Sequence, residues 1–244
     1  MELIAESISR SFAGVHALSG VEMKIAEGEI LGVIGPNGSG KTTLINVLSG
    51  VIPPSGGRVR LGDEAWEKLP SHQVSRRGIG RTFQTIRVFT EMTVLENVEV
   101  AACAHKATRG WHRRRQISRE ALERLDLTQY AETVVSELSY GLQRKVEIAR
   151  AIATRPRFVL LDEPAAGLNE TESDELLATL LDLRTEFGFG VMLVDHDLRL
   201  IMRCTDRIMV LCEGKVLADG KPDEVRHNPE VVRAYIGGSA AEAA

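Results

Sequence analysis

The sequence predicts an α/β fold: a parallel sheet covered by helices, with an antiparallel β segment before it and a helical insertion at about 90–155. Three observations carry this reading. Gly35-Pro36-Asn37-Gly38-Ser39-Gly40-Lys41-Thr42 fills every fixed position of G-x-x-x-x-G-K-[ST], between an apolar run, Ile30 to Ile34, and a helical pattern, Thr42 to Leu48. Phe158-Val159-Leu160-Leu161-Asp162-Glu163 is an apolar strand ending in two carboxylates. Beyond residue 139 helix and strand patterns alternate, through 142–154, 158–161, 171–187 and 191–194, the order that builds a parallel sheet.

In chain order, Leu3 to Phe12 and Val21 to Ile30 alternate in polarity and are punctuated by Gly14, Gly20 and Gly28, which predicts antiparallel strands and turns. The glycine-rich run then falls in a strand-to-helix turn, where backbone N–H groups can surround an anion. Gly38 and Gly40 permit the partly left-handed path this needs. Lys41 supplies a point charge, and the Thr42 hydroxyl can ligate Mg²⁺. Val59 to Leu61 and Ile79 to Phe83 read as short strands. From Thr93 the spacing becomes helical, with Val94, Leu95, Val98 and Ala101 on one side, and a second helix runs from about Ser118 through Leu125. The polar, basic stretch Lys106 to Ser118 reads as a surface connection between them. Leu138-Ser139-Tyr140-Gly141-Leu142-Gln143-Arg144 opens a further helix, Ser139 as N-cap and Val146, Ala149 and Ile152 inward; its positive end suits an anion. The last residues, 237–244, are small and polar and read as a short flexible tail.

Composition narrows the function classes. The chain has 244 residues, 43% hydrophobic and 26% charged, as in an ordinary globular protein. Its net charge of −4 gives no global attraction to nucleic acid or anionic lipid, so such a partner would need a local patch. The start, Met1-Glu2-Leu3-Ile4-Ala5-Glu6, turns polar at once, which predicts no secretory signal, and no apolar run reaches the roughly 18–20 residues that span a bilayer. Cys103, Cys204 and Cys212 lack metal spacing and read as small buried residues, reduced in a cytosolic compartment. One basic cluster, Arg109, His112, Arg113, Arg114, Arg115 and Arg119 with Trp111, reads as a solvated face or as a contact for anionic lipid headgroups.

The glycine-rich run extended by Thr43, with Gln84 after a strand, Leu138-Ser139-Tyr140-Gly141, Leu160-Leu161-Asp162-Glu163-Pro164 and His196, resembles the ATP-binding-cassette ATPases in order and spacing over about residues 3–236. The resemblance implies one ATP-binding domain over 1–236, a P-loop core with an antiparallel β subdomain and the helical subdomain inserted at about 90–155. It further implies that Gly35, Pro36, Asn37, Gly38, Ser39, Gly40, Lys41, Thr42 and Thr43 hold ATP, and that Thr42, Gln84 and Asp162 hold Mg²⁺. Glu163 is then the general base and His196 the γ-phosphate contact. Phe12 would stack on adenine; its residue type alone reads more readily as core. Ser139 and Gly141 would complete the site of a second cassette, homo- or heterodimeric.

Tyr140, the run Glu163-Pro164-Ala165-Ala166-Gly167-Leu168-Asn169 and the ending from Asn228 to Gly237 resemble, more narrowly, the ATPase subunits of branched-chain amino-acid importers. That implies transmembrane permease subunits, a solute-binding protein behind them, no nucleic acid, and a place on the cytoplasmic face of the plasma membrane. Val146-Glu147-Ile148-Ala149-Arg150-Ala151 is shared with lipopolysaccharide-export ATPases, the nearest alternative. A soluble cassette acting on nucleic acid or ribosomes would need long coiled-coil arms or two cassettes in one chain, and a GTPase would need an Asn-Lys-x-Asp motif; the sequence has none of these. Two positions depart from the family pattern: Leu142 stands where Gln is common, leaving open whether Gln143 substitutes, and Asn169 stands where Asp is common.

Overall fold

The structure, a computed structural model, describes residues 1–104 and 110–234. Arg109 and the tail expected at 237–244 lie outside the described residues. The chain forms two compact units: Met1–Pro70 together with the chain from Gly190 onward, and Ser71–Phe189. The helical segment expected at 90–155 lies within the second.

The first unit begins with β1 (Glu2–Phe12), β2 (Val15–Ala26), β3 (Ile30–Ile34), α1 (Lys41–Leu48), β4 (Gly56–Leu61) and β5 (Glu64–Trp66). An antiparallel sheet has the order β2-β1-β4-β5. The expected alternation in β1 holds for Leu3 and Ala5 and then changes phase to Ile8, because a bulge around Ser7 (φ 50°) shifts the register against β2. Gly20, expected to punctuate, lies within β2, which starts six residues earlier than the predicted Val21.

The second unit carries α2 (Ser71–Arg76), β6 (Ile79–Arg81), α3 (Val94–Ala102), α4 (Trp111–Arg124), α5 (Tyr140–Ala153), β7 (Phe158–Asp162) and α6 (Glu170–Phe187). Strands β6 and β7 pair in parallel, with Arg81 opposite Leu160. Helices α3, α4 and α5 pack on one another through Val94, Val98, Leu122, Val146, Ala149 and Ile152, all 5% exposed or less. Each buried aliphatic side chain of this size contributes roughly 1.5–3 kcal/mol. Thr93 caps α3 in a capping box with Glu96, while Ala102 and not Ala101 takes the inward place at its end. Helix α4 corrects the sequence reading: residues 111–118, expected as a surface connection, are its first two turns. Their basic side chains are tethered rather than free of structure, since Arg115 pairs with Glu99 at 3.9 Å and Arg114 donates to the Cys103 sulfur at 2.9 Å. Cys103 is also exposed, against the expectation that it is buried; Cys204 is buried, which pushes its thiol up to about 12.

The first unit resumes with β8 (Gly190–Val194), α7 (Leu198–Cys204), β9 (Arg207–Cys212), β10 (Lys215–Gly220) and α8 (Pro222–Arg226), and the backbone is helical again over 229–234. Strand β3 lies between β8 and β9, parallel to both, and β10 adds an antiparallel edge. All five residues of β3 are buried. Helix α7 sits so close to it that a Cβ on Gly32 would lie 2.9 Å from both Ile201 and Thr205.

Candidate functional site

In the first unit the loop between β3 and α1 has the backbone an anion site needs. Gly38 and Gly40 adopt φ of 78° and 105°. A Cβ at Gly40 would meet the Ala17 carbonyl oxygen at 2.5 Å and Leu18 at 2.8 Å, so glycine is required there for packing as well as conformation. Helix α1 has Gly40 at its N-cap, with no side-chain cap and no acidic residue in its first turn. Its leading N–H groups therefore lack the usual side-chain acceptor. The Ser39 hydroxyl is buried and finds no hydrogen-bond partner among the described residues. Lys41, 9% exposed, folds back so that Nζ donates to the carbonyls of Gly35 (2.8 Å) and Pro36 (3.0 Å), which holds a cation at the mouth of the loop. Asn37 and Thr42 are exposed and Gly35, Pro36 and Thr43 half-buried. An orphaned hydroxyl, an uncapped helix start and a tethered ammonium fit phosphate.

The same unit carries Phe12 and His196. Phe12 ends β1 and is 43% exposed, with the Arg10 guanidinium 4.6 Å from its ring centre, so it is not the core residue its type alone would predict. His196 follows β8; its side chain is 70% exposed, and Nδ1 lies 3.6 Å from buried Asp195. Asp197, not His196, caps α7, accepting from the N–H groups of Arg199 and Leu200.

The second unit brings Gln84, Asp162 and Glu163 together. Strand β7 delivers Asp162, 1% exposed, at its end; the Asp162 N–H donates to Thr82 Oγ1 at 3.4 Å and the carboxylate lies 3.6 Å from Arg81. Burial lowers Arg81 to about 10, against the opposing attraction of Asp162. Glu163 is half-buried, and its backbone has φ 47°, a left-handed conformation that costs a non-glycine residue on the order of 1–3 kcal/mol and persists only where surroundings enforce it. The Gln84 amide donates to Glu163 Oε2 at 3.2 Å. Among the described residues no cluster of three His, Cys, Asp or Glu forms a metal site. The Gln84 amide oxygen and the Asp162 carboxylate are donor types that suit Mg²⁺, which is held by few protein oxygens together with water and phosphate.

Ser139 caps α5 as predicted, its hydroxyl accepting from the Leu142 N–H at 3.4 Å. Gly141 approaches α6: a Cβ there would lie 3.4 Å from Leu168 and 3.5 Å from Glu172. A cleft of about 150 Å³ opens beside them, lined by Ser139, Gly141, Leu142, Leu168 and Glu172 among others. Gln143 donates to the Leu138 carbonyl at 3.0 Å. Asn169 caps α6 in a capping box with Glu172.

Sequence reasoning missed a buried ion pair. Arg144 (0% exposed) and Glu147 (4%) pair at 2.7 Å on α5. Arg144 donates to the carbonyls of Phe83 (2.7 Å) and Gln84 (2.9 Å), and Glu147 accepts from the N–H groups of Phe83 and Arg87. Asn97, fully buried on α3, accepts from the Phe89 N–H and donates to its carbonyl. The segment 83–89, which has no helix or strand, is thus fixed by side chains from two helices. Charges three residues apart usually lie on a solvated helix face. The available signal was that Ile148 and Ala151 continue the Arg144 face with apolar residues.

With this geometry, the family is shown directly. Residues 18–166 match the ABC transporter family, and residues 215–241 match the branched-chain amino acid ATP-binding cassette transporter family. The chain belongs to the ABC transporter family and is an ATP-binding cassette with ATPase chemistry. It is 43% identical over 248 residues to the high-affinity branched-chain amino acid transport ATP-binding protein BraF of Pseudomonas aeruginosa, covering 96% of this chain and 97% of that protein. It is 33% identical over 235 residues to the lipopolysaccharide export system ATP-binding protein LptB of Haemophilus influenzae, covering 96% and 97%. Among solved structures, the ADP conformation of MJ1267, an ATP-binding cassette of an ABC transporter, superposes with a TM-score of 0.88 at 31% identity over 97% of this chain and 99% of that one. The dimeric post-hydrolysis cassette MJ0796 with ADP and Pi gives 0.81 at 28% identity, covering 90% and 98%.

Proposed function

We propose that this chain is the ATP-hydrolysing subunit of an importer of branched-chain or other hydrophobic amino acids, acting in a cassette dimer docked on transmembrane permease subunits at the cytoplasmic face of the membrane. A solute-binding protein would deliver the solute to those permeases. No helix among the described residues is long and apolar enough to cross a membrane, which agrees with attachment through partners. The greater identity to a branched-chain transport protein than to a lipopolysaccharide-export one favours import.

In this reading residues 35–43 bind the phosphates of ATP, and Lys41 faces the outer ones. Phe12 stacks on the base. Thr42, Gln84 and Asp162 hold Mg²⁺, which when bound neutralises phosphate charge. Glu163 orients and deprotonates the attacking water, and His196 contacts the γ-phosphate. Ser139 and Gly141 meet the nucleotide of the partner cassette. The observation that carries the reading is Glu163 itself: a carboxylate in a strained backbone conformation, next to buried Asp162 and within hydrogen-bond reach of Gln84.

The test is Glu163→Gln. The amide preserves shape and removes the base, so MgATP binding should persist while hydrolysis falls by about 10²–10⁴-fold. With hydrolysis stalled, the ATP-bound dimer should accumulate on size-exclusion chromatography. Near-normal phosphate release would remove Glu163 from the role of base; lost turnover without a dimer would instead point to a different cassette as its mate. Stimulation of the parent protein by reconstituted permeases, and not by nucleic acid, separates transport from a soluble-cassette role.

A further inference from the structure

Tyr140 stands between Ser139 and Gly141, yet its ring lies against a loop of its own chain. A Cβ built on Gly167 would be 2.8 Å from Tyr140 Cε1 and 3.3 Å from Cζ. Gly167 has φ 80° and belongs to the turn that leaves the Glu163 carbonyl, to which the Ala166 N–H donates at 3.1 Å; Leu168 in turn donates to Ala165. The ring therefore seats on the turn that directly follows Glu163. At its other end the Tyr140 hydroxyl accepts from Arg144 at 3.4 Å. Arg144 also holds the Gln84 carbonyl, and the Gln84 side chain reaches Glu163. The contacts close on themselves: Glu163, Gln84, Arg144, Tyr140, Gly167 and back along the turn to Glu163.

We propose that Tyr140 is a positioning residue for hydrolysis, its ring seating the turn at Gly167 and so holding the Glu163 carboxylate against the Gln84 amide. This rests on the assignment of Glu163 as base. The positive φ of Glu163 needs surroundings that enforce it, and the seated turn supplies them. Core packing does not account for the tyrosine, because it is 45% exposed and its loss would leave no closed cavity. With the ring gone, Gly167 regains the freedom of an open glycine and the turn loosens.

The test uses the full chain and three variants, with kcat, KM, MgATP affinity and melting temperature measured for each. Tyr140→Ala should lower kcat on the order of 10- to 10²-fold, with KM, MgATP affinity and melting temperature close to the parent, since misplacement of about 1 Å has effects of that size. Gly167→Ala should lower kcat as well, by forcing a methyl into the ring. The double variant should lose less than the sum of the two single losses, because the clash of that methyl with the ring is gone while the strain of alanine at φ 80° remains. Unchanged kcat in Tyr140→Ala, a change confined to KM, or fully additive losses in the double variant would each overturn the proposal. Normal hydrolysis by Glu163→Gln would refute the base assignment itself, a result distinct from a silent Tyr140→Ala on a background where Glu163→Gln is inactive.

Discussion

Arg144 is the bulkiest fully buried side chain among the described residues, and its charge is compensated by Glu147 and two carbonyls. Removing one member of such a pair is far worse than lacking both, because the survivor is a buried charge without its partner. Arg144→Met should therefore destabilise the chain by about 3–5 kcal/mol in urea melts, and pairing it with Glu147→Met should recover much of that loss. Lys41 is the opposite case, a charge that the proposed ATP site keeps for its ligand. Its Nζ donates to two loop carbonyls, and in the proposed function its loss removes a cation from the phosphate site. Lys41→Ala should weaken ATP binding by roughly 1.5–3 kcal/mol, seen as about 10- to 100-fold in equilibrium titration, and should lower steady-state hydrolysis as well. Unchanged values for both would take Lys41 out of the site.

At the scale of elements, the capping box at Asn169 explains one departure from the family pattern, since asparagine serves a helix start as well as aspartate does. Asn169→Ala should cost about 1 kcal/mol in thermal or urea unfolding. What was legible in the sequence followed periodicity and punctuation. Strands β3, β7 and β8 are buried throughout and apolar but for Asp162 at the end of β7, and Ser139 stands where a cap belongs. The misreadings share a physical cause. The first turns of α4, Trp111 to Ser118, are nearly all polar, so no apolar stripe marks them; their helix is exposed on that side and closes on α3 through Arg114 and Arg115. The β1 bulge between Ala5 and Ile8 breaks the two-residue period, and the register against β2 shifts again beyond Ile8. The glycines of the loop before α1 are legible because a left-handed backbone calls for them, whereas Arg144, Glu147 and Asn97 act through tertiary partners and are marked in the sequence only by the apolar Ile148 and Ala151 that continue the Arg144 face.

For the whole molecule, the segment 83–89 is the natural candidate for contact with a permease. It starts at the Gln84 loop, exposes Phe89, and is fastened by Arg144, Glu147, Arg150 and Asn97 instead of by a backbone ladder. A shift there would be felt at Gln84 and hence at Glu163. Val88→Asp should weaken co-purification with the permeases while leaving ATP binding of the chain intact; normal co-purification would place the contact elsewhere. The interleaving of the two units also has a temporal side. Strand β3, which launches the phosphate loop, is made early in synthesis, yet both of its neighbours, β8 and β9, come from beyond residue 189. A nascent chain elongating at about 5–20 residues per second exposes that apolar strand, unpaired on both edges, for as long as the entire second unit takes to emerge. The most chemically committed strand of the protein is thus the one whose folding waits longest, and during that interval it is the segment most in need of shielding from other chains.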